Sequence, residues 1–189
     1  TSGELLLVNW VLVLLRGIPV AIVVFGGLIL HTVLRIFEYP FLGSRRPLTQ
    51  YVTQVVCKTS LFLLGISITV EGFPMKERGA VVANHSSWLD IFALNATQKI
   101  YFVAKSEVAN WPGIGWLPRA TGTVFIQRKA LQAHKQKNIF TERLLAGHKL
   151  LFFPEGTSTD SLRVLPFKSS LFAAFFETNV PQNLFIQPV

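Results

Sequence analysis

From Leu5 to Phe37 the chain reads LLLVNWVLVLLRGIPVAIVVFGGLILHTVLRIF, interrupted by only three basic or titratable residues, Arg16, His31 and Arg35. A run this apolar has no polar face to offer water, so protein or lipid must cover it. As one helix it would extend about 50 Å, at roughly 1.5 Å per residue, against about 30 Å of bilayer hydrocarbon. It must therefore be tilted or broken, and Arg16-Gly17-Ile18-Pro19 offers the break. Pro19 lacks a helical donor and biases Ile18 away from helical dihedrals. The sequence predicts two helices, near 4–15 and 19–38, embedded in a membrane or its interface. One clean span and a buried soluble helix pair are the alternatives. No Lys or Arg precedes the run, unlike a cleaved signal peptide. Arg35, Arg45 and Arg46 gather at its end, which by the positive-inside rule places the rest of the chain on the cytoplasmic side.

Composition agrees with this division. Half of the 189 residues are hydrophobic and only 15% are charged, yet the charges sum to +8. With a mean hydropathy of +0.44, a disordered tail or a mainly nucleic-acid-binding chain is excluded. The basic excess is local. Arg119, Arg128, Lys129, Lys135, Lys137, Arg143 and Lys149 face one acid, Glu142, which accounts for +6 of the total. Beside an apolar anchor, such a patch fits anionic lipid headgroups or an acidic carrier; for Lys135, Lys137 and Arg143 a solvated helix face is an equal alternative. No nucleic-acid module accompanies the charge. Cys57 is the single cysteine, so neither an internal disulfide nor a thiolate cluster can form. His31, His85, His134 and His148 are scattered, and no metal site is expected. A start at Thr1, one methionine (Met75) and an ending LFIQPV that reads as a strand are expected of a piece of a longer protein.

Beyond the anchor the pattern alternates. An amphipathic helix is predicted over 48–63, a strand over 66–70 and a turn at 72–74. A strand over 80–83, a helix over 87–96 capped by Ser86 or Ser87, and a strand over 100–104 follow. After the Trp111-Pro112-Gly113 loop come a strand at 123–127, a helix at 130–146 closed by Gly147, and a strand at 150–153. Residues 171–177 read as helical and 184–188 as extended. This is an α/β chain: a mixed sheet covered by helices, with an N-terminal membrane-embedded helical segment. The domain division is 1–47 for the anchor and 48–189 for the α/β domain.

Three stretches could carry chemistry. VVANHSSWLDIF (81–92) puts His85 at the end of a strand and Asp90 inside the next helix. Five residues apart on one helix, the two side chains would diverge by about 140°. With His85 in a loop built by Asn84, Ser86 and Ser87, Asp90 can reach back to one imidazole nitrogen and free the other to take a hydroxyl proton. Taken alone, such a pair is more often structural. LLFFPEGTSTD (150–160) places Glu155 after an apolar strand, in a turn that Gly156 keeps open; an ordinary solvated Glu is the alternative. TGTVFIQR (121–128) ends in Arg128, whose planar guanidinium suits phosphate or carboxylate, or is simply a surface arginine.

The order NHSSWLD, GTVFIQR, FPEGT and LPFKSSLF, over roughly residues 65 to 189, resembles the glycerolipid acyltransferase family, which includes 1-acylglycerol-3-phosphate acyltransferases. The resemblance implies His85 as general base, Asp90 as its orienting partner, and Gly122, Arg128, Glu155, Gly156 and Thr157 as acceptor-binding residues. Asn84, Ser87, Lys105, Pro166 and Lys168 are further candidates for substrate contact. It implies a lysolipid acceptor, an acyl carrier protein or coenzyme A thioester as donor, the bilayer as partner, and no cofactor. The chain has neither a GxSxG elbow nor a cysteine near a histidine, so no side-chain nucleophile is called for. Two positions depart from the family pattern: Gln127 stands where an acid is usual, and Ser158 where an arginine commonly follows FPEGT. FPEGTSTD is more similar to branches acting on other lysolipids, including the bacterial lyso-ornithine lipid acyltransferases, which would place the protein at the inner membrane. Lysophosphatidic acid is the alternative acceptor. Outside the family, a lipid-binding membrane protein without catalysis, or a thioester or lipid hydrolase using the same pair, would share these features.

Overall fold

Five short apolar segments meet because each carries unpaired peptide groups and side chains that alternate between two faces. The computed structural model describes residues 2–112, 115–126, 133–160, 162–169, 172 and 184–189. The strands are β1 (Gly79–Val82), β2 (Tyr101–Lys105), β3 (Val124–Ile126), β4 (Lys149–Phe152) and β5 (Phe185–Pro188). They form one sheet in the order β3-β2-β4-β1-β5, and each of its four described ladders is parallel. Parallel neighbours need crossovers. α3 (Leu89–Thr97) leads from β1 to β2, α4 (Trp116–Thr121) precedes β3, and α5 (Ala133–Leu145) precedes β4. The α/β class is as expected; an antiparallel member of the mixed sheet is not among the described pairings.

The pleat sorts the core. On one face Ala80, Tyr101, Val103, Val124, Leu150 and Phe152 pack against Phe140 and Leu144 of α5. On the other, Val81, Ile100 and Leu151 pack with Leu94 of α3 and with Phe102 and Phe153. Behind α3, Ala96 and Phe92 meet Cys57 and Leu61 of α2 (Pro47–Leu64). β4 sits at the centre, with Leu150 and Leu151 wholly buried.

The apolar run forms one helix, α1 (Ser2–Leu42), with Pro19 and Pro40 inside it. This corrects the two-helix expectation. Pro19 removes one donor, at about 3 kcal/mol in a helix interior. Opening the helix in so apolar a run would strip several peptide groups of partners at several kcal/mol each. Residues 9–42 are long and apolar enough to cross a membrane, with a mean hydropathy of 2.4 in their most apolar stretch, none of which is buried. The core helix of a soluble protein is mostly buried, and among the described residues this stretch is not.

α1 and α2 form an antiparallel hairpin joined by residues 43–46. Near its open end Arg16 Nη1 donates to the Leu64 carbonyl at 3.0 Å. Midway, Gly27 passes so close that a Cβ there would lie 2.3 Å from Val56 Cγ2. At the turn, the buried carboxylate of Glu38 accepts the Leu48 N–H at 2.9 Å and the Thr49 hydroxyl at 2.7 Å, with Arg35 at 3.6 Å. These bonds occupy one of the helical donors that α2 cannot satisfy within itself.

Three further expectations are corrected. Residues 66–70 form no strand, although Ile66, Ile68 and Val70 alternate. β1, the strand they lead into, has both edges occupied, by β4 and β5, so they cannot pair with it. α3 begins at Leu89 with Trp88 in the capping position; Ser87 Oγ still accepts the Leu89 N–H at 3.2 Å. Arg143 is no solvated arginine. It donates to the Gly122 carbonyl at 2.6 Å and lies over the Tyr101 ring. The helix expected at 171–177 lies outside the described residues except for Phe172, as do residues 127 and 130–132 of neighbouring elements.

Replacing Glu38 by Ala leaves two donors without their acceptor and a partly buried arginine without its counter-charge. A loss of about 2–4 kcal/mol is expected in unfolding of the detergent-solubilised protein. An unchanged midpoint would remove Glu38 from its structural role.

Candidate active site

β1 ends at Val82, and residues 83–88 form the loop before α3. Asp90, in the first turn of α3, points back into that loop because the loop's donors converge on it. Its Oδ2 accepts from His85 Nδ1 at 2.8 Å, the Ser86 N–H at 2.8 Å and the Ser87 N–H at 3.0 Å, and its Oδ1 accepts the Ser86 hydroxyl at 3.2 Å. Burial alone would raise the Asp90 pKa. The Ser87 N–H, the His85 imidazole and the Ser86 N–H outweigh it and hold the carboxyl below its usual range. An ionised Asp90 keeps the proton of a neutral His85 on Nδ1, so Nε2 carries the lone pair.

The second loop locks the ring from the other side. β4 pairs with β1 so that Phe152 lies beside Val82, and Phe153 stacks on the His85 imidazole with centroids 4.1 Å apart and planes 14° from parallel. Farther along, the Thr159 N–H donates to the His85 carbonyl at 2.7 Å. Phe153 and Thr159 were not singled out from sequence, since an aromatic after a strand and a threonine in a loop carry no signal until the register is known.

Between them lies Glu155, 1% exposed rather than solvated. Its Oε2 accepts the Leu165 N–H at 2.9 Å. Its Oε1 is buried and has no partner among the described residues, so it is available to a substrate donor. Gly156 adopts φ +70°, and a Cβ there would stand 3.0 Å from Lys168 Cδ and Nζ. The Lys168 N–H also donates to the Pro154 carbonyl at 2.9 Å, so LPFK folds back over FPEG. Pro166 and Thr157 are exposed in these loops, as is Asn84 beside His85. Lys105 is exposed at the end of β2, on the same C-terminal edge of the sheet.

Gly122 lies elsewhere. It precedes β3 and so sits at the N-terminal edge of a parallel sheet, the edge opposite His85. There it closes α4 at φ +82°, its carbonyl holds Arg143, and a Cβ would meet the Arg46 guanidinium at 2.8 Å. Arg128 lies outside the described residues. Cys57 is buried between α2 and α3, where burial pushes its thiol up to about 12, so it supplies no thiolate. Among the described residues no group of acids, histidines and cysteines is arranged to hold a metal ion.

The Asp90 interactions carry a pH signature. Because its folded pKa is depressed, their stabilisation is complete above the unfolded value of about 3.9 and is lost as pH falls through the folded pKa. The difference in melting temperature between the wild type and Asp90→Asn is therefore expected to hold at pH 5–7 and to narrow below about pH 4. A difference independent of pH would contradict this.

An acyltransferase family model matches residues 67–189. The chain is 54% identical over 175 residues to a lyso-ornithine lipid O-acyltransferase of Rhodobacter capsulatus, covering 93% of this chain and 63% of that protein. It is 37% identical over 180 residues to the enzyme of the same name from Rhizobium meliloti, covering 94% and 59%. A 1-acyl-sn-glycerol-3-phosphate acyltransferase of Neisseria gonorrhoeae is 40% identical over 119 residues, 61% of this chain and 46% of that one. The chain thus spans about three fifths of the length of the lyso-ornithine lipid enzymes it matches. The crystal structure of PlsC, the 1-acyl-sn-glycerophosphate acyltransferase of Thermotoga maritima, shares the fold, with a TM-score of 0.65 and 24% identity over 93% of this chain and 72% of that one. By the family match across residues 67–189, which contain both loops of the site, the chain belongs to the acyltransferase family.

Proposed function

We propose that this chain carries the catalytic centre of a membrane-associated lysolipid O-acyltransferase. His85 Nε2 takes the proton of the acceptor hydroxyl as the oxygen attacks the carbonyl of an acyl thioester, and Asp90 stabilises the imidazolium that forms. Collapse of the tetrahedral intermediate breaks the C–S bond. The imidazolium returns its proton to the departing thiolate, so the products are an ester and a thiol. The observation that carries this reading is the 2.8 Å bond from His85 Nδ1 to Asp90 Oδ2 in a loop that Phe153 and Thr159 hold in place. The donor is a thioester of acyl carrier protein or coenzyme A, and no further cofactor takes part.

The acceptor in this reading is lyso-ornithine lipid. The 54% identity to an enzyme of that name over nearly the whole chain supports it, as do Gln127 and Ser158 at the two positions that depart from the glycerol-phosphate pattern. Glu155 Oε1, unpartnered among the described residues, would accept from an acceptor hydroxyl or amine; Gly156, Thr157 and Lys168 shape the opening beside it, and Arg128 is the candidate partner for an acidic group. The Neisseria relative favours a second reading, acylation of lysophosphatidic acid. α1 anchors the enzyme in the membrane, with the catalytic domain on the cytoplasmic side.

The full-length protein, supplied with an acyl carrier protein thioester and each lysolipid in turn, should acylate lyso-ornithine lipid with the higher kcat/KM. Turnover of lysophosphatidic acid alone would overturn the acceptor assignment, and release of free fatty acid would indicate a hydrolase. His85→Ala should lower kcat by about a hundred- to ten-thousand-fold with the fold retained. Full activity in that variant would leave a lipid-binding protein as the better description.

A further inference from the structure

A second polar centre lies at the N-terminal edge of the sheet, where Tyr101, Gly122 and His148 precede or begin their strands. A cavity of about 290 Å³ opens there between α1, the start of α2 and α4, lined by His31, Arg35, Ile36, Arg46 and Arg119 among others. Arg46 and Arg119 are each anchored by one described hydrogen bond, and Arg35 by two carbonyls and Glu38. Arg46 Nη1 donates to the Ala120 carbonyl at 2.8 Å, Arg119 Nη2 to Asn110 Oδ1 at 3.0 Å, and Arg35 to the carbonyls of Gly43 and Arg45.

Two nitrogens in this lining are buried and have no hydrogen-bond partner among the described residues, His31 Nδ1 and Arg46 Nε. His31 is only 4% exposed. An orphaned buried polar atom is costly, so two in one cavity call for a ligand. The sign of that ligand follows from the charges. Three arginines line the space, while the nearest described acid, Glu38, is already engaged by Thr49, the Leu48 N–H and Arg35. Burial, with the charges of Arg35 and Arg143, brings the Arg46 guanidinium down to about 10. Arg35 is paired with Glu38, but Arg46 and Arg119 bring charge to the cavity with no acid paired to either among the described residues.

The cavity also continues onto hydrocarbon-like surface. Ile36 is 64% exposed, and Ile29 and Val33 stand exposed one and two turns away along the same side of α1. An oxyanion held by arginines beside an uncovered apolar helix face is the pattern of a lipid headgroup with its chain.

We propose that this cleft binds the phosphate of an anionic phospholipid, whose acyl chain lies along Ile29, Val33 and Ile36 of α1. The bound lipid ties α1 to α4 at the sheet edge opposite His85, so it is a resident lipid and not the acceptor being acylated. This site shares with the proposed function only the membrane placement of α1, and its test is separate from the acylation assay.

The full-length protein in mild detergent, mixed with equal amounts of phosphatidylglycerol and phosphatidylcholine of the same chain length, should retain phosphatidylglycerol selectively by native mass spectrometry. Arg119→Gln removes an exposed side chain that among the described residues is bonded only to Asn110, so folding is not at stake. It should weaken that retention about tenfold while leaving kcat measured without added phospholipid unchanged. Arg46→Gln should do the same or more, with its melting temperature recorded beside it. Equal retention by the wild type and Arg119→Gln would overturn the proposal. So would displacement of the lipid by inorganic phosphate or coenzyme A at matching concentration, since the cleft would then belong to a free phosphate or to the acyl donor.

Discussion

Parallel pairing of β1 with β4 places Val82 beside Phe152, so the two loops that follow leave the sheet together at one edge. Everything in the candidate site depends on that register. A slip of one residue would turn Phe153 to the opposite face of the sheet and remove the ring that stacks on His85. The same slip would separate Thr159 from the His85 carbonyl and carry Glu155 out of its buried position. β4 resists it because Leu150 and Phe152 are buried on one face and Leu151 on the other, among different neighbours.

The sheet's polarity then divides labour between its two edges. At the C-terminal edge, backbone donors and a carboxylate fix one imidazole. At the N-terminal edge, arginines from α1, α2 and α5 converge on strand starts, and Gly122 keeps the space that Arg46 needs. α1 reaches this second edge through Glu38 and Arg35, so the helix with the most exposed apolar surface is also bolted to the α/β domain. The long apolar helix and the loops around His85 thereby stand in a fixed relation. The antiparallel α1–α2 hairpin supplies that relation without a linker.

Much of this was legible in the chain. Strand positions 80–83, 100–104 and 150–153 follow from short apolar runs between turn residues, and each lies within a residue of where the structure has it. Asp90 reaching back to His85 was legible too, because two serines and an asparagine cannot continue a helix and so leave His85 in a loop. What failed, failed for tertiary reasons. Pro19 reads as a helix break when donors are counted locally, but not when the whole run lacks other partners. Ile66, Ile68 and Val70 alternate as a strand should, yet β1, the strand that follows them, is already paired on both sides. Gly122 matches its motif in sequence, and only the strand direction shows that it faces away from His85.

The sequence by itself determined the apolar anchor, the α/β alternation and the identity of the groups able to move a proton, because composition, periodicity and side-chain chemistry are local properties. Only the tertiary structure decided that Glu155 is buried with one oxygen unpartnered among the described residues, that Phe153 and Thr159 hold the His85 loop, and that His31 and three arginines line a cavity at the opposite edge of the sheet. Those facts depend on contacts between segments tens of residues apart. Strand order and register bring such segments together, and no local pattern encodes either.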